Sequence, residues 1–179
     1  MSDKIALHDK TFSLFIAEEA ILDAVKSVAE KINLEYAGKQ PLLIPVLNGS
    51  FLFAADLAKY LTIDCEFSFI KASSYKGERS TGVIDELIGL NEEIQNRHVI
   101  IIEDIVDTGN TLARLLPELQ LKLPASLKIA SLLFKPSALK ADLVVDFCGI
   151  TIPNDFIVGY GLDYNGLGRN LRNIYKIEI

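Results

Sequence analysis

From Ile16 to about Tyr36 apolar residues recur at helical spacing, with Ala20, Ile21, Ala24, Val25, Val28, Ala29 and Ile32 on one face and Gly38 as a stop. This pattern predicts an amphipathic helix packed on a core. The apolar run Leu42 to Leu47, the turn Asn48-Gly49-Ser50 and a helical pattern from Phe51 to about Leu61 then make a strand–helix unit. Ile63, Cys65, Phe67 and Phe69 alternate with polar residues, as in a strand with one wetter face. Ser74 to Gly82 follow no period and read as a loop ahead of a strand-like Val83 to Ile88, so the pair resembles a hairpin with a long tip. Four consecutive β-branched residues, Val99 to Ile102, predict a strand covered on both faces. A helix from Thr111 follows, which Pro117 is expected to kink or end, and then strands at Lys128 to Phe134 and Leu143 to Phe147.

Strands alternating with helices predict an α/β fold. Its central sheet is mostly parallel, helices cover both faces, and the ligand site lies beyond the carboxyl ends of the strands. Asn48-Gly49-Ser50, Glu103 to Thr111 and Lys135 all fall at such ends. The 179 residues suit one domain, and with half of them hydrophobic a sizeable core forms without staples. No repeat, low-complexity tract or polar linker divides the chain.

Charge narrows the functions. Eighteen Lys and Arg against 24 Asp and Glu leave a net charge of −6, poor ground for a general nucleic-acid or anionic-membrane binder, so any anion site must be local. Cys65 and Cys148 stand far apart in apolar contexts, without a CxxC or Cys/His cluster, and read as reduced thiols of a cytoplasmic protein. No apolar stretch approaches the roughly 18 residues of a membrane span. His8 and His98 have no ligand-like spacing and are expected at the surface or a strand end. There is no Walker GxxxxGK[ST], and Gly159-Tyr160-Gly161 continues to Tyr164 rather than glycine, so the dinucleotide fingerprint fails.

The densest chemistry is Glu103-Asp104-Ile105-Val106-Asp107-Thr108-Gly109-Asn110-Thr111 at the end of the covered strand. Small hydrogen-bonding residues at a helix start offer backbone N–H groups and a favourable dipole to a phosphate. The two preceding acids are placed to accept from sugar hydroxyls or reach a cation. The plainer readings are solvated strand-end acids, a turn-forming Asp107 and an ordinary N-cap.

This segment resembles the phosphoribosyl-diphosphate motif of type I phosphoribosyltransferases, and specifically of the hypoxanthine-guanine phosphoribosyltransferase family. Leu47-Asn48-Gly49-Ser50, Ser74-Tyr75 with Ser80-Thr81-Gly82, and Phe156 to Asn165 support the resemblance in the right order, from about Leu42 to Arg172. It implies a core over about 38–150 with a small hood from the N-terminal segment and about 151–179. It also implies purine salvage: hypoxanthine or guanine plus phosphoribosyl diphosphate gives IMP or GMP and pyrophosphate, with Mg²⁺ required.

By that resemblance Glu103 and Asp104 engage the ribose, Thr108, Gly109, Asn110 and Thr111 cradle the 5′-phosphate, and Asp107 is the general base toward the purine ring nitrogen. Lys135 meets the exocyclic oxygen of the purine, Phe156 stacks on it and Ile157 offers its backbone; core packing is the plainer reading of these last two. Asp163 holds Mg²⁺, with Glu103 and Asp104 as further carboxylates, and Arg169 grips pyrophosphate together with the Asn48-Gly49 turn, where the family has a non-proline cis peptide. Ser74 and Tyr75 belong to a lid that excludes water. The chain departs from the family at Asn48 and Asn110, where Lys is common, and at Gly166-Leu167-Gly168, where bulkier residues stand. Family members are homodimers or homotetramers. Two other functions remain: a regulator of the same fold that binds RNA, which would need a basic face, and a transferase preferring xanthine.

Overall fold

A computed structural model of the protein describes residues 4–71, 90 and 92–178. Ser74, Tyr75 and the expected Val83 to Ile88 strand lie outside the described residues. The chain opens with an antiparallel pair, β1 (Lys4–Leu7) and β2 (Lys10–Ile16), followed by α1 (Glu18–Glu35). Strand β3 (Leu42–Leu47) leads into α2 (Phe51–Tyr60) and two short strands, β4 (Glu66–Phe67) and β5 (Ile70–Lys71). Next come β6 (His98–Val106), α3 (Asn110–Gln120), β7 (Ser126–Phe134) and β8 (Phe147–Thr151), and last β9 (Ile157–Val158) and β10 (Ile174–Ile177).

The central sheet has the order β4-β3-β6-β7-β8, with β5 also on β3, and its pairings are all parallel. The apolar run of β6 explains this placement. Ile100 and Ile102 pack with α1 and α2 on one face, and Val99 and Ile101 with Leu112, Leu115 and Leu119 of α3 on the other, all of them buried. A strand buried on both faces has no polar alternation, which is why four β-branched residues in a row are found there. The buried stripe of α1 is Ile21, Ala24, Val25, Val28, Ala29 and Ile32; Ala20 is exposed. A second, antiparallel sheet, β1-β2-β10-β9, joins the N-terminal hairpin to the last segment around Phe12, Val158 and Tyr175.

Three local expectations are corrected. Of the two outcomes expected at Pro117, ending the helix is the one overturned: α3 runs on to Gln120, with Pro117 and Ala113, whose carbonyl would have received the missing N–H, both on the exposed side, where that carbonyl is open to solvent. The strand expected at Leu143 to Phe147 begins only at Phe147, opposite Ala130; Leu143 and Val145 instead pack beneath the α3 side of the sheet, and Asp146 accepts the Ile129 N–H at 2.9 Å. The alternation from Ile63 to Phe69 is broken at Ser68. That residue turns inward, its N–H donating to Leu43 O at 3.0 Å and its hydroxyl to Glu92 at 2.6 Å, and Phe69 is left 47% exposed.

Candidate functional site

Strands β6 and β7 end together, the Lys135 N–H donating to Val106 O at 2.9 Å, and this parallel register sets two side chains opposite each other. The Lys135 ammonium, on a side chain only 6% exposed, donates to Asp107 Oδ2 at 3.3 Å, while the Asp107 side chain is 44% exposed. A buried ammonium is costly unless it is paired, so Asp107 is the counter-ion that lets Lys135 stay buried at the end of β7.

After Asp107 the chain turns through Gly109 at φ +78° into α3, which receives no side-chain cap. The N–H groups of Lys140 and Ala141 donate to Thr108 O at 3.1 and 3.3 Å, so the β7–β8 connection buttresses this turn from behind. Leu112, Leu115 and Leu119 bury one stripe of α3 and thereby aim its N-terminus at the strand ends. Between them lies a cavity of about 240 Å³ lined by the unbroken run Glu103 to Leu112. Thr108, Gly109, Asn110 and Thr111 thus share one concavity with Glu103, Asp104 and Asp107. Asn110 is exposed, and its N–H approaches Thr108 Oγ1 at 3.4 Å.

A second group of residues meets the first across the β3–α2 turn. The Leu47-Asn48 peptide is cis, and Asn48 is exposed. Gly49 lies against Asp104: a Cβ there would come within 1.7 Å of Asp104 Oδ2. On its other side Gly49 touches Gly161, where a Cβ would lie 2.0 Å from Gly49 O. The Gly161 carbonyl accepts from Arg169 Nη1 at 2.6 Å, and Arg169 Nη2 pairs with Asp163 Oδ1 at 2.5 Å. Gly166 N–H donates to Asp163 Oδ2 at 2.7 Å. The fold therefore brings Asn48, Gly49, Asp104, Asp163 and Arg169 together from three separate parts of the chain.

Both acids of β6 hold their protons more tightly than ordinary carboxyls do. Burial, and after it the neighbouring Asp104, pushes the Glu103 carboxyl well above the usual carboxylate range. Burial likewise pushes Asp104 up to about 6, opposed by backbone N–H groups and the Arg169 guanidinium and reinforced by Asp163. A folded-state pKa above the ordinary value favours folding with the proton on. The contribution is fully present below about pH 4 and is lost as pH rises through about 6. Asp104→Asn keeps the acceptor for the Ile105 N–H, now 2.9 Å from Asp104 Oδ1, and removes the buried charge. It is expected to raise the Tm of the ligand-free protein at pH 8 by the equivalent of at most about 3 kcal/mol, with no gain at pH 4. Calorimetry checks this, and a variant melting below the parent at pH 8 would contradict it.

Oxygen donors at Asp104 and Asp163 suit a hard cation such as Mg²⁺, which keeps waters and substrate oxygens in most of its coordination sites. Among the described residues no three acidic, His or Cys side chains gather as a metal group. Glu103, Asp104 and Asp163 are therefore not assembled into one cage; successive residues of β6 direct Glu103 and Asp104 to opposite faces. Phe156 is 47% exposed, edge-on to Tyr164 with centroids 5.8 Å apart and tilted on Phe12 at 6.2 Å. Ile157 is buried in the core, with its backbone paired to Lys176 of β10.

Two contributors escaped the sequence reading. Gly161 is needed for its bare Cα against Gly49, and its signal was the Gly159-Tyr160-Gly161 doublet. Asp56, half-buried beside Phe53, Ala54 and Leu57 on α2, accepts from the Tyr160 hydroxyl at 2.6 Å; an acid on an apolar helix face was the only trace of it.

The phosphoribosyl transferase domain family matches residues 16–165. A hypoxanthine-guanine phosphoribosyltransferase of Streptococcus pneumoniae strain R6 is 40% identical over 159 residues, 88% of each chain. A hypoxanthine phosphoribosyltransferase of Buchnera aphidicola is 39% identical over 170 residues, covering 93% of this chain and 96% of that one. The crystal structure of a hypoxanthine-guanine phosphoribosyltransferase from Bacillus anthracis superposes with a TM-score of 0.85 at 38% identity, over 93% of this chain and 97% of the other.

Proposed function

The chain belongs to the phosphoribosyl transferase family, and from that premise we propose that it is a purine-salvage enzyme. It joins hypoxanthine or guanine to the phosphoribosyl group of phosphoribosyl diphosphate and releases pyrophosphate. The observation that carries this reading is the pairing, at 3.3 Å, of Lys135 with Asp107, which lines the Glu103-to-Leu112 cavity. A 6-oxopurine presents an acceptor oxygen and a ring N–H, and this pair offers it a cation and a carboxylate side by side.

In the reaction a purine nitrogen forms a bond to the anomeric carbon as the bond to the pyrophosphate oxygen breaks. Asp107 Oδ takes the proton that the ring nitrogen loses. Lys135 donates to the exocyclic oxygen, where charge accumulates as that proton departs. Thr108 to Thr111 hold the 5′-phosphate at the start of α3 through backbone N–H groups and hydroxyls. Asp104 accepts from the ribose hydroxyls beside Glu103, and Asn48-Gly49 and Arg169 receive the leaving pyrophosphate. Phe156 covers one face of the base and Ile157 its edge. Mg²⁺, held through Asp163, would supply further neutralisation of the diphosphate. Since the oxocarbenium-like transition state is reached mainly by alignment of the two reactants, most of the acceleration comes from this positioning.

Offered phosphoribosyl diphosphate, Mg²⁺ and one base at a time, the protein is expected to release pyrophosphate with hypoxanthine or guanine and not with adenine or orotate. Xanthine in the same panel measures how far the preference extends. A coupled pyrophosphate assay decides, and silence with all five bases would end the proposal.

A further inference from the structure

The Gly159-Tyr160-Gly161 turn is held more tightly than a connecting segment requires. Its three residues have φ values of +105°, +47° and +97°, and the middle one is a bulky residue that rarely adopts that conformation. Each glycine is pressed on backbone: a Cβ at Gly159 would fall 2.1 Å from Asn173 O, and one at Gly161 2.0 Å from Gly49 O. The side chain of Tyr160 is buried, and its hydroxyl donates to Asp56 Oδ2 at 2.6 Å, while Asp56 Oδ1 is taken by Lys59 at 2.7 Å.

Asp56 stands on α2, directly after the Asn48-Gly49 turn. The turn therefore meets one rigid β3–α2 unit twice, through Gly161 on Gly49 and through Tyr160 on Asp56. Beyond it, Gly161 exchanges two hydrogen bonds with Arg169, N–H to Arg169 O at 2.9 Å and its own O from Nη1 at 2.6 Å, and Arg169 pairs with Asp163. Neither Tyr160 nor Asp56 lines the cavity.

We propose that the Tyr160–Asp56 hydrogen bond is a positioning device for phosphoribosyl diphosphate: it fixes the segment bearing Asp163 and Arg169 over Gly49 and Asp104. The role rests on the transferase reading of the site. Burial, and then the Asp56 carboxylate, raises the Tyr160 phenol above its ordinary value, so the hydroxyl stays a donor throughout the working pH range. A tether that only stabilised the fold would lower Tm and the active fraction and leave both Michaelis constants alone. A positioning tether acts on one substrate.

The test is steady-state kinetics and calorimetric binding of Mg²⁺–phosphoribosyl diphosphate for Tyr160→Phe, Asp56→Ala, Asp56→Asn and the Tyr160→Phe/Asp56→Ala pair. Tyr160→Phe deletes one oxygen. Its KM and Kd for phosphoribosyl diphosphate are expected to rise on the order of ten-fold, with the KM for hypoxanthine within about two-fold of the parent. Asp56→Ala should match it, the double variant should be no worse than either single, and Asp56→Asn, which keeps an acceptor, should recover most of the loss. An active parent with unchanged KM and Kd in Tyr160→Phe, or equal losses for both substrates, would overturn the positioning role alone. A parent that makes no nucleotide would overturn the functional reading beneath it.

Discussion

Asp107→Asn is expected to lower the rate of nucleotide synthesis by about 10²–10⁴-fold, the range typical for loss of a positioned general base. Asparagine preserves the size of the side chain and, through its carbonyl oxygen, an acceptor for the Lys135 ammonium now at 3.3 Å from Asp107 Oδ2. What it removes is the ability to take a proton from the incoming base. The loss should therefore fall on kcat, with the KM for phosphoribosyl diphosphate nearly unchanged, because the phosphate turn at Thr108 to Thr111 depends on backbone groups and α3 rather than on this carboxylate. Steady-state kinetics at saturating substrates, with Mg²⁺, separate these terms. Full synthesis by the variant would remove Asp107 from the chemistry, and a loss confined to KM would make it a binding residue only.

Gly161→Ala is expected to have a comparably severe effect by a different route. An alanine Cβ would stand 2.0 Å from Gly49 O, a backbone atom that cannot swing away, and it would be held at φ +97°. Overpacking of this kind costs about 1–3 kcal/mol, and forcing a side chain into positive φ adds about 1–2 kcal/mol. A chain of this size loses roughly 2–4 °C in Tm per kcal/mol, so a fall on the order of 5–15 °C is expected. The strain is relieved by parting the two glycine faces, which separates Arg169 from the Asn48-Gly49 turn, so activity should drop further than the melting temperature alone explains. Differential scanning calorimetry with assays well below Tm checks both parts. Parent-like Tm and activity would mean that the close approach of Gly161 to Gly49 is dispensable.

The elements most legible in the sequence were those whose burial is uniform. Strand β3 was read at its observed bounds, Leu42–Leu47, and α1 and α2 to within about two residues, because one face or both faces of each are apolar over their whole length. Pro117 does not end α3, since a proline is tolerated where the carbonyl it deprives is on the exposed side of the helix. Residues 143–147 misled because apolar side chains can face a core from an irregular segment; pairing with Ala130, and not composition, decides where β8 begins.

The site divides in the same way. Glu103 to Thr111 form one unbroken run that the sequence singles out by its chemistry, and the structure shows that the same run lines a cavity. Lys135 could be placed only by its strand end and by resemblance, since a single lysine has no pattern. Gly161 against Gly49 and Tyr160 on Asp56 join residues more than a hundred positions apart, the latter pair with a separation of 104. Contacts of that range leave no periodicity, so nothing local announces them. The strongly raised Glu103 and the Asp104 carboxyl at about 6 were equally invisible, because burial depends on what the rest of the chain packs around them.

The central claim is transfer of a phosphoribosyl group to a 6-oxopurine at the cavity between the end of β6 and the start of α3. It is tested most directly by quantifying IMP and pyrophosphate in a single reaction of the protein with hypoxanthine, phosphoribosyl diphosphate and Mg²⁺. The account predicts equal amounts of the two products and neither when the base is omitted. Pyrophosphate without IMP, or no product at all, would contradict it.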